Sequence, residues 1–497
     1  MAKKENQILS TGRAVNYMVG IFGVQLFIGY VNSFQTEFYN KMYSGFDSNI
    51  FYASAVIIFA AKLISCVADP IIGALIDRSN FKGGKIRPWI LFSAFPIAIL
   101  TTVIFLYIPF DAIGGGSGKI LLYGYITLTS VLWNIAMSFA DIPSQGMLSR
   151  LTPNVQERNS AAALSNIGRA GAQVMPSIFV TVVMLVLNAV KGAGYPAREY
   201  YLATALLFFV MGTSCYLLIY FRNREAVKDT PPAAISMKDM FTELKENKEI
   251  RIVFLIYMLG FARTMTPIVF VQANGALIGK ILLFGSEMDT TADATWLPGL
   301  LGGLAGFVGV TLVPLINKRL GEKKTYLLFS FASFITAMTS CTIYWSLPAD
   351  SPFRYGNSAL YMIMPMQILS SICISSNTFI PLIMTTDIVD YREWTTGQRK
   401  EGVNFAILSM AIKLSNALCV VVGLLLVAVS GYTYTVYETG SIPISTQNIM
   451  FYAFLGCTGT GALLSTFPMM KYKIDAKVKE AMRQSKDSVT EPLVTVE

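Results

Sequence analysis

The stretch IFYASAVIIFAAKLISCVADPIIGAL, residues 50–75, decides the fold of this chain. Only two charged side chains, Lys62 and Asp69, interrupt it, and the polar stretch DRSNFKGGKIR, residues 77–87, follows it closely. A helix of about 20 mainly apolar residues crosses a lipid bilayer. The stretch therefore predicts a membrane-spanning helix that ends in a basic loop.

Comparable apolar runs recur along the whole chain, in which 54% of the residues are hydrophobic and 14% are charged. This composition is too apolar for a water-soluble protein. The runs lack the alternation of apolar and polar residues that is typical of β-barrel strands, which favours helices. We expect an all-α membrane protein with twelve transmembrane helices, near residues 14–40, 50–76, 88–110, 119–148, 159–190, 200–221, 250–281, 295–316, 325–346, 358–386, 402–431 and 446–470.

A long polar break between the sixth and seventh predicted helices contains Pro231 and Pro232, and prolines of this kind are typical of loops. It divides the helices into two six-helix bundles. The segment Asp141-Ile142-Pro143 at the end of the fourth helix is echoed by Asp387-Ile388-Val389 at the end of the tenth, which supports an internal duplication. The predicted organisation is an amino-terminal bundle at 1–221, a cytoplasmic linker at 222–249, a carboxyl-terminal bundle at 250–470 and a cytoplasmic tail at 471–497.

The formal net charge of +9 comes from basic residues that are concentrated in alternate loops. Because basic loops stay in the cytoplasm, this distribution predicts a multi-pass protein of the inner (plasma) membrane with both termini cytoplasmic. It accounts for the charge without nucleic acid as a partner. The polar start of the chain shows no removable signal peptide.

Histidine is absent, and the six cysteines all lie in apolar stretches without the spacing of a metal site. With no histidine and no nucleophile motif, an enzyme is disfavoured. We expect no metal and no cofactor. A channel is also disfavoured, because charged residues lie within predicted spans and no pore-filter repeat is present.

Two sets of motifs connect the chain to known transporters. Gly73-x-x-x-Asp77-Arg78 with Gly84-Lys85 and Arg87 resembles the loop motif of the major facilitator superfamily. The longer string from Asp69-Pro70 to Pro88-Trp89, with the motifs at 141–143 and 387–393, resembles the glycoside-pentoside-hexuronide:cation symporter family. This resemblance implies a secondary active transporter that moves a sugar or glycoside together with a cation by alternating access.

Lys62, Ser65 and Asp69 share one face of the second helix because they are three and four residues apart. One interpretation is a structural ion pair in which Lys62 or a neighbouring helix neutralises Asp69. The resemblance instead implies a cation site on this face, with Ser138 and Lys413 close to it. One carboxylate and two hydroxyls are few ligands for Na⁺, so H⁺ is the favoured coupling ion and Na⁺ is the alternative.

The fourth helix carries Trp133 and Asp141, eight residues apart and nearly in line along one face. A carboxylate accepts hydrogen bonds from sugar hydroxyls, and an aromatic ring covers the apolar face of a sugar. The resemblance assigns both residues to the sugar site, although Trp133 also fits ordinary packing between helices. Gln25 stands where the family has an aspartate among its sugar ligands, which indicates a changed specificity.

Four embedded bases outnumber the two embedded carboxylates Asp69 and Asp141. These bases are Lys62, Arg169, Arg263 and Lys413, and the resemblance places Arg169 at the sugar site. Because a buried positive surplus is unfavourable, we expect an anionic sugar such as a uronide or a sulfosugar. Alternatively, the bases pair with Glu37, Asp387 or backbone carbonyls, and the solute is a neutral glycoside or, in a related family, a lysolipid.

Charged residues near the cytoplasmic ends of both predicted bundles suggest an inner gate made of salt bridges that hold one state of an alternating-access equilibrium. The members of this gate are Asp77, Arg78, Arg87, Asp387, Asp390, Glu393 and Arg399. We expect the chain to work as a monomer whose partners are the sugar-like solute and membrane lipid.

Overall fold

The computed structural model describes residues 9–47, 49–79, 81, 84, 86–152, 155–191, 196–225, 237–283, 286–291, 296–397, 401–432, 436–437, 440–474 and 478–482. The amino half consists of long helices joined by short connections. They are α1 (Thr11–Tyr43), α2 (Ile50–Arg78), α3 (Arg87–Ile104), α4 (Gly115–Leu151), α5 (Val155–Lys191) and α6 (Ala197–Arg222), with a 3-10 turn at Phe110–Ile113.

The carboxyl half repeats this plan with more interruptions. Its elements are α7 (Met237–Glu246), α8 (Lys248–Leu259), a 3-10 turn at Phe261–Thr264, α9 (Met265–Leu277), the strands β1 (Lys280–Leu283) and β2 (Ser286–Asp289), α10 (Trp296–Leu320), α11 (Glu322–Ser346), α12 (Asn357–Ile374), α13 (Ser376–Thr396), α14 (Glu401–Ser430), α15 (Ile444–Phe451) and α16 (Cys457–Met470). A π-helical segment, Tyr452–Gly456, joins α15 to α16.

The predicted membrane-spanning helices are present. Within the described residues, ten helical segments are long and apolar enough to cross a membrane, and α8 with the segment Phe261–Leu277 forms an eleventh span bent by 56°. Helix α5 occupies the place of the remaining predicted span, and its apolar part, Met175–Val190, is shorter. The tenth predicted span is interrupted at Ser375, where α12 ends and α13 begins.

The small antiparallel hairpin of β1 and β2, in which Lys280 pairs with Asp289, was not expected from the sequence. The division of the chain into bundles, linker and tail stays a prediction. Residues 226–236 of the predicted linker lie outside the described residues, and α7 follows them.

Helix α1 lies against α5 and α6 in the core of the amino half. Its Gly23 meets Gly212 of α6 so closely that a Cβ atom on Gly23 would stand 2.5 Å from the Gly212 carbonyl oxygen. Small residues allow this approach of two helix backbones. The Tyr30 hydroxyl donates a hydrogen bond of 2.7 Å to the Tyr201 carbonyl on the same interface. These contacts hold α1 in place, and the candidate site residues of α4 and α5 lie against α1.

The two halves meet along three pairs of helices, α2 with α14, α5 with α10, and α1 with α9. Each pair joins a helix of the amino half to one of the carboxyl half. The candidate site residues on α2 and α14 therefore lie at the junction of the halves.

Candidate functional site

Ser65 of α2 and Ser138 of α4 are in contact, with 3.0 Å between their hydroxyl oxygens. Both side chains are buried. The Ser138 hydroxyl also donates to the Asn134 carbonyl oxygen at 3.1 Å. Two hydroxyls and a carbonyl oxygen thus gather between α2 and α4. The contact brings Ser65 and Ser138 together, and their role in a cation site stays a prediction.

Asp69 lies one turn along α2 from Ser65 and forms an ion pair with Lys413 of α14. Its second oxygen, Oδ1, is buried and has no hydrogen-bond partner in the described part of the chain. A neighbouring helix therefore neutralises Asp69, as one of the two interpretations of the sequence anticipated. Because α2 and α14 belong to different halves, this ion pair joins them.

Lys62 of α2 has a different described partner from that of Lys413. Its ammonium donates a hydrogen bond of 3.1 Å to Oδ1 of Asn32 on α1. This described bond of Lys62 therefore runs from α2 to α1.

Asp141 of α4 is buried, and its Oδ2 accepts a hydrogen bond of 2.6 Å from the Gln145 side chain. Its Oδ1 is buried without a partner among the described residues. The hydroxyl of Tyr17 on α1, which donates to the Ser144 carbonyl at 3.0 Å, lies within electrostatic reach of both Asp141 and Arg169. Tyr17 of α1 therefore lies in the electrostatic field of both the Asp141 carboxylate of α4 and the Arg169 guanidinium of α5.

Trp133 faces a different neighbour from Asp141. Its indole donates a hydrogen bond of 2.9 Å to the Thr101 hydroxyl of α3, and only 3% of the residue is exposed. The described hydrogen bonds of Trp133 and Asp141 run to different partners, Thr101 of α3 and Gln145 of α4. The position favours the packing role, and the sugar-stacking role stays a prediction. Gln25 is buried within α1 and also stays a predicted ligand.

Arg263 lies in the 3-10 turn that breaks the seventh span, and 5% of it is exposed. Its guanidinium lies 4.2 Å from the Tyr257 ring centroid and donates to the Tyr326 hydroxyl at 3.3 Å. The Tyr326 hydroxyl lies 2.7 Å from the hydroxyl of Ser465 on α16. The described contacts of Arg263 therefore lie within the carboxyl half, and they are aromatic, hydroxyl and carbonyl groups rather than carboxylates.

This placement changes the balance of embedded charges. Lys413 is paired with Asp69, and Arg263 is held by tyrosines inside the carboxyl half. Of the predicted bases, Arg169 is the one whose charge, like that of Asp141, acts on Tyr17. The positive surplus available to an anionic solute is therefore smaller than the sequence suggested.

The predicted inner gate is described only in part. Arg87 donates two hydrogen bonds, of 3.2 and 2.6 Å, to the Tyr220 carbonyl oxygen at the end of α6. The Glu225 carboxylate accepts from the backbone amides of Ile86 and Arg87 at 2.8 and 3.0 Å and lies 3.1 Å from the Arg150 guanidinium. Glu225 thus ties the start of α3 to the ends of α4 and α6, so these bonds lie within the amino half.

On the carboxyl side of the same end, Lys479 bridges Asp387 and Glu322, with nitrogen-oxygen distances of 2.6 and 2.7 Å. Burial raises the pKa of the Asp387 carboxyl above its ordinary value. The Asp387 bonds thus lie within the carboxyl half and its tail. Asp390 and Glu393 are half-buried on α13, whereas Arg399 and the side chains of Asp77 and Arg78 lie outside the described residues.

At the opposite end of the molecule, the halves are joined by hydrogen bonds. The Lys41 ammonium of α1 donates to the Thr291 hydroxyl after β2 at 3.1 Å, and the Gln272 amide of α9 lies 3.5 Å from the Glu37 carboxylate of α1. The Thr291 hydroxyl in turn donates to the Asp289 carboxylate at 2.6 Å. This end of the molecule is closed between α1, α9 and the hairpin.

Several of these residues were missed from the sequence. Gln145 could have been found from the sequence, because it follows Asp141 by four residues and a spacing of four places both on one helix face. Tyr17 and Glu225 gave no such signal, because their partners are distant in sequence. The same is true of the contact between Lys41 and Thr291.

Comparisons with known proteins agree with this fold. The isoprimeverose transporter of Lactiplantibacillus pentosus is 23% identical and aligns over 93% of this chain and 88% of its own length. A putative sulfoquinovose importer of Salmonella typhimurium is 24% identical, over 89% of this chain and 86% of its own. A crystal structure of a D-xylose-proton symporter superimposes with a TM-score of 0.60 at 13% identity, covering 93% of this chain and 98% of that one.

These similarities place the chain among transporters rather than enzymes and confirm the predicted major facilitator fold of a multi-pass membrane protein. The family described as MFS/sugar transport protein matches residues 16–476, nearly the whole chain. The chain therefore belongs to the MFS/sugar transport protein family.

Proposed function

We propose that this protein is a secondary active symporter that carries a sugar or glycoside together with a cation by alternating access. The observation that supports this most is the position of Asp69. It pairs with Lys413 across the two halves, its Oδ1 is buried without a hydrogen-bond partner in the described residues, and the Ser65 hydroxyl lies one turn away. A carboxylate that a cation could neutralise is thus part of the contact between the two halves.

The mechanism follows from this shared carboxylate. A proton or Na⁺ that binds at Asp69 neutralises the charge that holds Lys413, and the contact between α2 and α14 weakens. Since Ser65 and Ser138 supply only two hydroxyls beside one carboxylate, H⁺ is the coupling ion that we propose, with Na⁺ as the alternative. Driven uptake under a pH gradient without Na⁺ is expected, and uptake that requires Na⁺ at every pH would refute this choice.

The solute is proposed to bind near Asp141. Its orphaned Oδ1 can accept a hydrogen bond from a sugar hydroxyl, because a buried acceptor without a partner costs free energy until it is satisfied. Tyr17 of α1, whose hydroxyl lies in the field of both Asp141 and Arg169, is a further candidate for this site, together with Arg169 of α5. Several relatives of this chain are named for sugars.

We further propose that the solute is an anionic sugar that binds Arg169. The support is the Arg169 guanidinium, whose charge acts on the same Tyr17 as that of Asp141, and the similarity to a protein named for sulfoquinovose, a sugar that carries a sulfonate. Loss of a hydrogen bond to a charged group costs about 1.5–3 kcal/mol, so Arg169→Gln should raise the KM for a uronide or sulfosugar by about tenfold or more. Arg263→Gln is the matched control and should leave this KM unchanged, whereas preferential uptake of neutral glycosides would refute the anionic assignment.

Cation coupling is tested with Asp69→Asn in proteoliposomes. We expect the variant to lose accumulation of solute against its gradient and to keep exchange of solute across the membrane. Asp350→Asn, which removes an exposed carboxylate after α11, is the control and should accumulate normally. Accumulation by the Asp69 variant would show that this carboxylate does not couple the cation. Location in the plasma membrane, cytoplasmic termini and the monomeric state remain part of the proposal.

A further inference from the structure

A cavity of about 540 Å³ lies away from the candidate transport site, at the end of the carboxyl half where the chain leaves α16. Its walls come from α8, the start of α11 and the segment after α16. Five basic residues line it, with one carboxylate among them, which leaves four formal positive charges around one cavity. The basic residues are Lys248, Arg251, Lys323, Lys471 and Lys473, and the carboxylate is Glu249.

Four of the five bases are available to a ligand. Lys248, Arg251, Lys471 and Lys473 are exposed, and their side chains have no hydrogen bond or ion pair within the described part of the chain. Like charges held this close together repel one another and attract an anion. The cavity therefore lacks the counter-charge that would balance it.

The frame of the cavity is well ordered by hydrogen bonds. The Lys323 ammonium donates to the backbone carbonyls of Met470 and Tyr472 at 2.7 and 2.9 Å and so holds the end of α16. The buried Glu249 carboxylate accepts from the Lys473 backbone amide at 3.4 Å. Lys323 and Glu249 thus shape the cavity, and the other four bases face its opening.

An apolar strip continues from the cavity along the membrane-spanning helices. Leu255 lines the cavity and is exposed, and Leu259 lies one turn further along α8. On α16, Met470 lines the cavity, and the exposed Phe467 and Leu464 follow at three-residue steps along one face. Helices α8 and α16 are in contact, so the two rows flank one surface groove.

We propose that this cavity binds the phosphate of an anionic phospholipid, in the leaflet on the side of the chain termini, with an acyl chain along the groove of α8 and α16. Basic pockets between transmembrane helices are suited to anionic headgroups. The adjoining apolar strip favours a lipid over a soluble phosphate compound, because a soluble anion would leave the strip unused. This inference does not depend on the solute or the coupling ion.

Binding is measured by native mass spectrometry of the full chain in detergent, titrated with phosphatidylglycerol, phosphatidylcholine or glycerol phosphate. We expect phosphatidylglycerol to bind at least tenfold more tightly than phosphatidylcholine. The triple variant Arg251→Gln, Lys471→Gln, Lys473→Gln should abolish this preference.

The matched control is the triple variant Lys318→Gln, Arg319→Gln, Lys324→Gln, which removes three exposed bases at the same end of the molecule but outside the cavity. It should keep the preference for phosphatidylglycerol. An equal loss in both triple variants would show nonspecific attraction to charge and overturn the proposal. Glycerol phosphate that binds as tightly as the lipid would overturn the assignment to a lipid.

Discussion

Replacing Asp69 with Asn and Lys413 with Gln, singly and together, tests whether their ion pair holds the two halves together. Each single replacement leaves the other charge at the junction of α2 and α14 without its partner. The double replacement removes both charges and leaves two neutral polar groups in their place. The comparison separates the interaction from the effect of each side chain alone.

The structure sets the expected size of the effects. The two side chains are 15% and 21% exposed, so the pair is largely but not fully buried. Breaking a fully buried pair costs about 3–5 kcal/mol. Partial exposure reduces this to about 2–3 kcal/mol for each single variant, whereas the double variant should lose only about 1 kcal/mol. The interaction free energy is then about 3 kcal/mol or more.

The measurement is the midpoint of thermal unfolding of the purified variants in one detergent. The double variant should be more stable than either single variant. Asp350→Asn combined with Asp69→Asn is the control, since Asp350 is exposed after α11, and its effects should add. Additive losses in the variant that lacks both Asp69 and Lys413 would refute the reasoning.

Three further predictions concern residues of α1, α4 and the loop after α6. Trp133→Phe removes the bond to Thr101 and should lower stability by about 1 kcal/mol without changing KM, whereas a tenfold rise in KM at unchanged stability would restore the sugar-stacking role. Glu225→Gln should lower the unfolding midpoint, because it weakens an ion pair and two bonds to backbone amides, and a midpoint equal to wild type would contradict this. Lys41→Met removes the bond to Thr291 and should increase maleimide labelling of a cysteine that replaces the buried Ala276 of α9, and unchanged labelling would show that this contact does not close the end.

The sequence was sufficient to identify polar residues that share one face of an apolar helix. The polar face of residues 62, 65 and 69 and the hydroxyl of Ser138 were identified on apolar spans, and Ser65 and Ser138 are indeed in contact. Polar groups within apolar spans stand out because they need partners in the membrane. Most of the spans were recognisable from apolar length, which identifies ten helices and the bent pair among the described residues, whereas α5 has a shorter apolar part.

Periodicity gives the face of a helix on which a residue lies, but it does not give the neighbouring helix that this face meets. Residues eight apart on an α-helix differ by about 80° in direction, and this offset turns Trp133 towards α3 while Asp141 lies near α1 and α5. Arg263 lies in a 3-10 turn at a bend of 56°, where a helical wheel no longer gives the direction of a side chain. The two tyrosines that contact Arg263, Tyr257 and Tyr326, could therefore not be predicted from a helical wheel of this span.

The position of Asp69 explains how one carboxylate suffices for coupling in the proposed mechanism. Ser65 and Ser138 bond to each other within the amino half, so a cation held by them alone would leave the contact between the halves unchanged. Asp69 lies beside these hydroxyls and also pairs with Lys413 of the other half. A ligand shifts a conformational equilibrium only through a difference in its interaction with the two states. Because Asp69 belongs to both the cation site and the contact between the halves, neutralising it creates that difference.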